Sequence, residues 1–350
     1  MDSPRATIKA VGVGGGGCNA INWTVNQRVQ GLETIAINTD NQALLNAQAT
    51  VKIRIGEKVT KGLGCGGDPA VGQLAAEESH DELQSALEGA DIVFIAAGMG
   101  GGTGTGAAPV IAKIARDMGA LTISIITKPF IFEGTRRRQI ADTGASILKT
   151  CSDTLITIPN DKLLGLTDKK MTMRMAFALA DDVLRAGIQG ISDTITLPGL
   201  INLDLADIRS VMANAGTAFM AIGRAAGDER ATNAARQAIR SPLLEVSLEG
   251  ARTILLNITG SDYTLFEVNE VADIIQKTAD PEADVVFGAV VDETMKGEMQ
   301  VTLVATYLQD PTIRQEIAAD PMSSGPRPGQ LRAPGYGGPA RTPEPPSSRA

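Results

Sequence analysis

The stretch Gly100-Gly101-Gly102-Thr103-Gly104-Thr105-Gly106 follows directly on an apolar run, Ile92 to Ala97, and leads into Val110, Ile111, Ile114 and Met118 at helical spacing. The run reads as a buried strand, and the segment after the glycines reads as a helix. A strand, a turn of nearly bare backbone and a helix N-terminus, in that order, form a phosphate cradle. Backbone N–H groups can approach an anion closely there, and the positive end of the helix dipole faces it. Side chains larger than threonine would fill the space that phosphates need. No Gly-Lys-Ser/Thr follows the turn, so it is not a P-loop, and phosphate charge must be met without that lysine.

The same order of elements occurs earlier in the chain. Ile8 to Val13 is aliphatic, Gly12-x-Gly14-x-x-Gly17 overlaps its end, and Asp40 closes the next aliphatic run. Taken alone, this satisfies the dinucleotide fingerprint and leaves an NAD-dependent oxidoreductase open. The second glycine turn opposes that reading, because a Rossmann half has no use for another cradle at that strand. Two glycine loops on neighbouring strands suit a triphosphate held from both sides. The single histidine, His80, lies in a charged helical stretch and offers no constellation for hydride transfer.

Short aliphatic runs (Ile8 to Val13, Thr34 to Ile37, Ile92 to Ala97, Leu121 to Thr127, Thr154 to Ile158) alternate with helical patterns. This predicts βαβ units and a parallel sheet with its ligand at the C-terminal ends of the strands. Hydrophobic residues make up 43% and aromatics only 3% of the 350 residues, so the cores must be aliphatic, as suits strands covered on both faces. A net charge of -8 argues against wholesale nucleic-acid binding, which needs a basic face. No apolar stretch approaches the roughly 20 residues of a membrane span, and Met1 to Arg5 has no apolar core of a signal peptide, so a cytoplasmic location is expected. Cys18, Cys65 and Cys151 share no metal-ligand spacing and are expected as free thiols. Cys18 opens a helix beside a proposed phosphate, where the dipole can lower a thiol pKa.

From Lys170 to Ile191, Met173, Ala176, Phe177, Ala180, Val183, Leu184 and Ile188 recur on one helical stripe. A helix of that length, roughly 30 Å, can bridge two domains. Helices from about Leu205, near Thr232 to Arg240 and over Phe266 to Thr278, with strands at Thr253 to Ile258, Val285 to Val291 and Met299 to Ala305, predict a smaller α+β domain. The expected organisation is therefore a domain at 1–170, a connecting helix and linker at 171–198, and a second domain at 199–308. Residues 309–350 are read as a disordered tail: they hold nine of the 17 prolines and show no apolar periodicity beyond Ile317.

Together these motifs resemble the FtsZ family of tubulin-like GTPases, which assemble the bacterial division ring. The first and second glycine runs match, as do Ile37-Asn38-Thr39-Asp40, Pro129-Phe130-Ile131-Phe132-Glu133-Gly134, Ile158-Pro159-Asn160-Asp161, Phe177 to Gly190, and Asn202-Leu203-Asp204-Leu205-Ala206-Asp207. They occur in the family's order, over about residues 6 to 307. The resemblance implies an α/β, tubulin-like fold: a Rossmann-type parallel-sheet GTPase domain joined by a central helix to a smaller α+β domain. It further implies GTP and GDP as ligands with Mg²⁺, head-to-tail homopolymers, and a place at the mid-cell division site. Tethering and regulatory proteins of the ring are the implied partners, with the membrane reached only indirectly.

By matching motif positions, Gly14, Gly15, Gly16, Gly17, Cys18 and Asn19 would wrap the diphosphate. Gly101, Gly102, Thr103, Gly104 and Thr105 would hold the β- and γ-phosphates. Glu133 would accept from the ribose and Arg137 would neutralise phosphate charge. Asn160 and Asp181 would read guanine, since a carboxylate accepts from N1–H and the 2-amino group, a donor pair adenine lacks. Phe177, one turn before Asp181, reads either as a stacking partner of the base or as an ordinary core residue. Asp204 and Asp207 have the spacing of a helix cap; the resemblance instead implies that they complete the GTPase site of the next subunit. Trp23, Lys128 and Thr135 depart from the family's usual residues, and nothing between Pro321 and Ala350 resembles its terminal docking peptide. A filament former that binds GTP but hydrolyses it poorly is the remaining rival, opposed by the presence of both aspartates.

Overall fold

The computed structural model describes residues 6–26, 31–165, 171–197, 199–201, 203–244 and 248–306. All of these belong to one unit spanning 1–308; the expected tail at 309–350, like Asn202, lies outside the described residues. The first part of the chain runs β1 (Ile8–Val13), α1 (Gly14–Asn26), β2 (Leu32–Asn38), α2 (Asn41–Leu45), β3 (Val51–Arg54), α3 (Glu57–Thr60), α4 (Pro69–Glu78) and α5 (His80–Leu87). It continues with β4 (Ile92–Gly98), α6 (Thr103–Asp117), β5 (Leu121–Lys128), α7 (Thr135–Cys151), β6 (Thr154–Pro159) and α8 (Asn160–Leu164). After α9 (Met173–Thr196) come β7 (Gly199–Ile201), α10 (Leu205–Met212), β8 (Gly216–Ala226), α11 (Arg230–Ile239), β9 (Thr253–Gly260), α12 (Leu265–Thr278), β10 (Asp284–Val291) and β11 (Glu298–Thr306).

Among the described residues the strands form a single sheet in the order β3-β2-β1-β4-β5-β6-β8-β11-β9-β10-β7. From β3 to β8 every pairing is parallel. β11 then lies antiparallel between β8 and β9, and β10 pairs parallel with β9. All six residues of β1 are buried, as its unbroken aliphatic run requires when both faces are covered. One face packs on α1 and α9, the other on α4 to α7, and a third cluster lies beneath α11 and α12. The two halves of the sheet meet at a narrow seam, where β6 and β8 pair only from Thr154↔Gly216 to Ile156↔Ala218.

The central helix begins where Thr172 caps it, its side chain accepting from the Met175 N–H. It runs five residues past Ile191. Ser192, Asp193 and Thr194 are buried there although they are polar, so an apolar stripe gives no sign of them. The Thr194 and Thr196 hydroxyls donate back to helix carbonyls at Ile191 and Ser192, which makes that burial tolerable. Strand β8 carries little β signal because it is rich in alanine and glycine. That composition has a packing cause: a Cβ on Gly223 would meet the Ala234 carbonyl oxygen of α11 at 1.9 Å.

Candidate nucleotide site and the acidic loop

A cavity of about 350 Å³ opens at the C-terminal ends of β1, β4, β5 and β6. Its floor is the two glycine loops: Gly15, Gly16 and Asn19 from the first, and Gly101, Gly102, Thr103 and Gly104 from the second. Gly14 sits at φ +71°, and a Cβ there would lie 2.9 Å from the Gly104 nitrogen, so the loops touch backbone to backbone. A Cβ on Gly104 would in turn meet the Gly98 oxygen at 2.6 Å. Helices α1 and α6 both start at this floor, and their first N–H groups have no partners within their helices. Two helix N-termini with unpaired amides and no side chains in the way make an anion site. Two larger clefts exist among the described residues, about 740 Å³ beside α4, α6 and α7 and about 860 Å³ between α9 and α11, but neither gathers these loops.

Some of the expected phosphate residues stand behind the floor. The Thr105 hydroxyl accepts from the Gly100 N–H at 2.9 Å and fixes the turn. Gly17 packs α1 on β4, where a Cβ would meet the Ala96 oxygen at 2.2 Å. Thr103 faces the cavity, its hydroxyl 2.7 Å from that of Thr39 and 3.4 Å from the Cys65 sulfur. Cys65 belongs to a third glycine-rich loop, Gly62 to Gly67, in which Gly62, Gly64, Gly66 and Gly67 all have positive φ. This loop buttresses Gly102, whose Cβ would come within 2.5 Å of the Cys65 Cβ. The run of glycines was visible in the sequence, but it follows no strand-to-helix pattern that would mark a cradle.

Cys18 corrects one expectation. Its side chain is buried away from the cavity, with the sulfur 3.7 Å from the carbonyl oxygens of Gly12 and Ile37. Burial pushes the thiol up to about 11, only partly offset by hydrogen bonds from Asn38 and to Ile37. Desolvation outweighs the helix dipole, and Cys18 is a core thiol instead of an activated one.

Glu133, Arg137, Asn160, Phe177 and Asp181 line the opposite wall. Glu133 is held by the Phe130 N–H at 2.9 Å and by Arg137 at 2.7 Å. Phe177 is 39% exposed and stands edge-on to Phe130 and Phe132, so it is a rim aromatic and not core. The Asn160 Oδ1 atom is buried without a partner. Desolvation raises the Asp181 carboxyl to about 7, against a lowering hydrogen bond from Asn19. A buried orphan acceptor beside a desolvated carboxyl is costly until a ligand brings donors to both. No cluster of three or more His, Cys, Asp or Glu side chains that would cage a metal occurs among the described residues.

Asp204 and Asp207 lie at the opposite end of the strands. Asp204 caps α10, accepting from the Asp207 N–H at 2.8 Å, while Asp207 accepts from the Asp204 N–H at 3.0 Å. In the second turn of α10, Arg209 donates to the carbonyls of Asp91 and Gly119, just before β4 and β5 begin. The cavity is at the far ends of those strands, roughly 20 Å away for seven residues at about 3.3 Å each. The structure thus brings the glycine loops and the base-side residues together and keeps the aspartates apart from them.

The sheet order, with glycine-rich loops gathered at the carboxyl ends of parallel strands, defines a Rossmann-type α/β protein with an appended mixed sheet. The model of the tubulin/FtsZ family GTPase domain matches residues 7–168, and that of the FtsZ family C-terminal domain matches 216–309. An FtsZ from M. jannaschii, solved as an empty dimer, is 43% identical with a TM-score of 0.84, covering 87% of this chain and 89% of that one. CetZ1 from Haloferax volcanii, a GDP-bound monomer, superimposes with a TM-score of 0.75 at 20% identity over 90% of this chain and 100% of its own. The chain belongs to the tubulin/FtsZ family of GTPases.

Proposed function

We propose that the chain binds GTP in the two-loop cavity and hydrolyses it only when a second copy joins head to tail, in filaments that form the cell-division ring. The observation carrying this reading is the separation of Asp204 and Asp207 from the cavity across the length of the strands. One chain cannot bring the two together, whereas a head-to-tail neighbour sets the acidic loop of one subunit over the cavity of the next. Such a heterologous contact does not close on itself and gives a filament. The M. jannaschii FtsZ was solved as a dimer, which supports self-association in the family.

At that junction the amides of Gly15, Gly16 and Gly101 to Gly104 take the phosphates, with the Thr103 hydroxyl beside them. Asp181 and Asn160 accept from guanine. The neighbour's Asp204 and Asp207 orient and polarise a water, which attacks the γ-phosphorus. The bond to the β–γ bridging oxygen breaks, leaving GDP and phosphate. Since no metal-caging cluster occurs among the described residues, Mg²⁺ would be held chiefly by the phosphates, whose charge it would neutralise. Loss of the γ-phosphate removes contacts from the junction and weakens it. We place the protein in the cytoplasm at mid-cell, held by tethering and regulatory partners and not by nucleic acid; no helix of the described residues is long and apolar enough to cross a membrane.

A GTP-binding filament former with poor hydrolysis is the second reading, favoured by the way the two aspartates satisfy each other as a cap. Mixing separates the two. Asp207→Ala should bind GTP but turn it over slowly, and Gly104→Val should fail to bind GTP while keeping its acidic loop. Combined, they should recover turnover at mixed junctions. Full turnover by Asp207→Ala alone would refute catalysis in trans.

A further inference from the structure

The cleft of about 860 Å³ between α9 and α11 exists because β6 and β8 part company after three residue pairs. Beyond them β8 continues to Ala226, bonded on one side to β11 and on the other to no strand among the described residues. The Arg224 N–H points to that open side, where it donates to the Gln237 Oε1 of α11 at 3.2 Å. In an antiparallel pair, N–H and C=O groups alternate in direction along the strand, so Ile222 and Ala226 present theirs to the same side. All three residues line the cleft. It therefore holds an unpaired strand edge about five residues long.

Its charge is unlike that of the molecule, which carries a net charge of -8. Four arginines line the cleft: Arg185, Arg224, Arg236 and Arg240. Arg185 is paired with Asp182 and Arg224 with Glu298. Arg236 and Arg240 are exposed, and among the described residues neither has a carboxylate within ion-pair distance. They stand one helical turn apart at the end of α11, Arg240 being its C-cap with its N–H donating to the Arg236 carbonyl, about 6 Å between Cβ atoms. Alternate residues of an extended strand are about 7 Å apart on one face. The repeat of the arginines thus matches carboxylates at positions i and i+2 of a strand laid along β8.

We propose that this cleft docks an extended acidic segment of a partner protein, added as a strand to the open edge of β8, with alternate carboxylates on Arg236 and Arg240. Charge disfavours the chain's own tail as occupant, since beyond Pro321 it has four arginines against Glu344. The strand displaces Gln237 from the Arg224 amide. The site is separate from the nucleotide cavity and does not depend on its assignment.

The test is fluorescence anisotropy of the full chain with a labelled eight-residue peptide of alternating Glu and Thr. Saturable binding is expected, at least tenfold weaker for the Arg236→Glu/Arg240→Glu double variant and for a Glu-Pro repeat that cannot bond to a strand edge. GTP turnover of the variant should match the parent, which checks its fold. If the charge reversal melts early, Arg236→Gln/Arg240→Gln carries the same expectation. Equal binding by the double variant, equal binding of the Glu-Pro peptide, or equal competition by a single-stranded oligonucleotide of the same charge would overturn the proposal.

Discussion

The two ends of the sheet hold the same kind of side chain in opposite conditions. At the cavity, Asp181 is desolvated and raised to about 7, beside the buried, unpartnered Asn160 Oδ1. At the other end, Asp204 is exposed and Asp207 half-buried, and the two answer each other's backbone N–H groups. The first end is incomplete until donors arrive; the second is complete as it stands. Unsatisfied buried groups mark where a ligand goes. A satisfied pair gives no such sign and acquires a chemical role only when another molecule is brought to it.

The comparison breaks most severely at the glycine floor. Gly104→Val places a Cβ 2.6 Å from the Gly98 oxygen and 3.3 Å from that of Val13, so the loops must separate. Losing two charge-assisted bonds from backbone amides to phosphate, at about 1.5–3 kcal/mol each, lowers GTP and GDP affinity on the order of 100-fold or more. Titration with a fluorescent guanine nucleotide measures it, and affinity within tenfold of the parent would mean that the floor does not hold the phosphates.

Asp181 gives the cavity end a pH signature. Its carboxyl, ordinarily at 3.8, is raised to about 7 in the ligand-free fold, so the protonated form is preferred there. The cost to folding is therefore absent below about pH 4, grows as the pH rises and is complete above about pH 7. On the proposed role, in which the Asp181 carboxylate accepts from guanine, GTP affinity should fall about tenfold for each pH unit below 7, until the pKa of the bound state is reached. Asp181→Asn should flatten that profile and cost GTP on the order of 1–3 kcal/mol of binding, with little change for ATP. Calorimetric titrations between pH 5.5 and 8 decide the matter.

The cavity end was far more legible in the sequence than its opposite. Glycine runs after aliphatic strands announce a phosphate cradle through backbone chemistry alone, and Ile8 to Val13 and Ile92 to Ala97 announce the strands that carry them. Strand β8 was silent because alanine and glycine serve the approach of α11 and leave no β pattern. Cys18 misled because helix position is a one-dimensional cue, whereas its pKa is set by how deeply α1 buries it. The glycine loop at 62–67 could be seen but not interpreted, since buttressing Gly102 is a tertiary fact. For Asp204 and Asp207 the spacing supported a cap, which the structure contains, and only the resemblance pointed to a neighbour's nucleotide.

The smallest expected change in stability makes the sharpest cut between those two roles. Serine is as good a helix N-cap as aspartate, so Asp204→Ser keeps an oxygen for the Asp207 N–H and loses only the charge near the helix dipole. Its melting should therefore shift by less than about 1 kcal/mol, whereas Asp204→Ala, which has no acceptor, should cost about 0.5–2 kcal/mol. A cap alone makes turnover follow stability: the serine variant stays active and the alanine variant suffers only in its folded fraction. Catalysis in trans separates the readouts, because a hydroxyl neither attracts a proton from water nor balances charge at the γ-phosphate as a carboxylate does. Both variants should then lose GTP turnover in filaments to a similar extent while binding GTP as monomers with unchanged affinity. An Asp204→Ser protein with parental turnover would leave the capping role as the whole function of this loop.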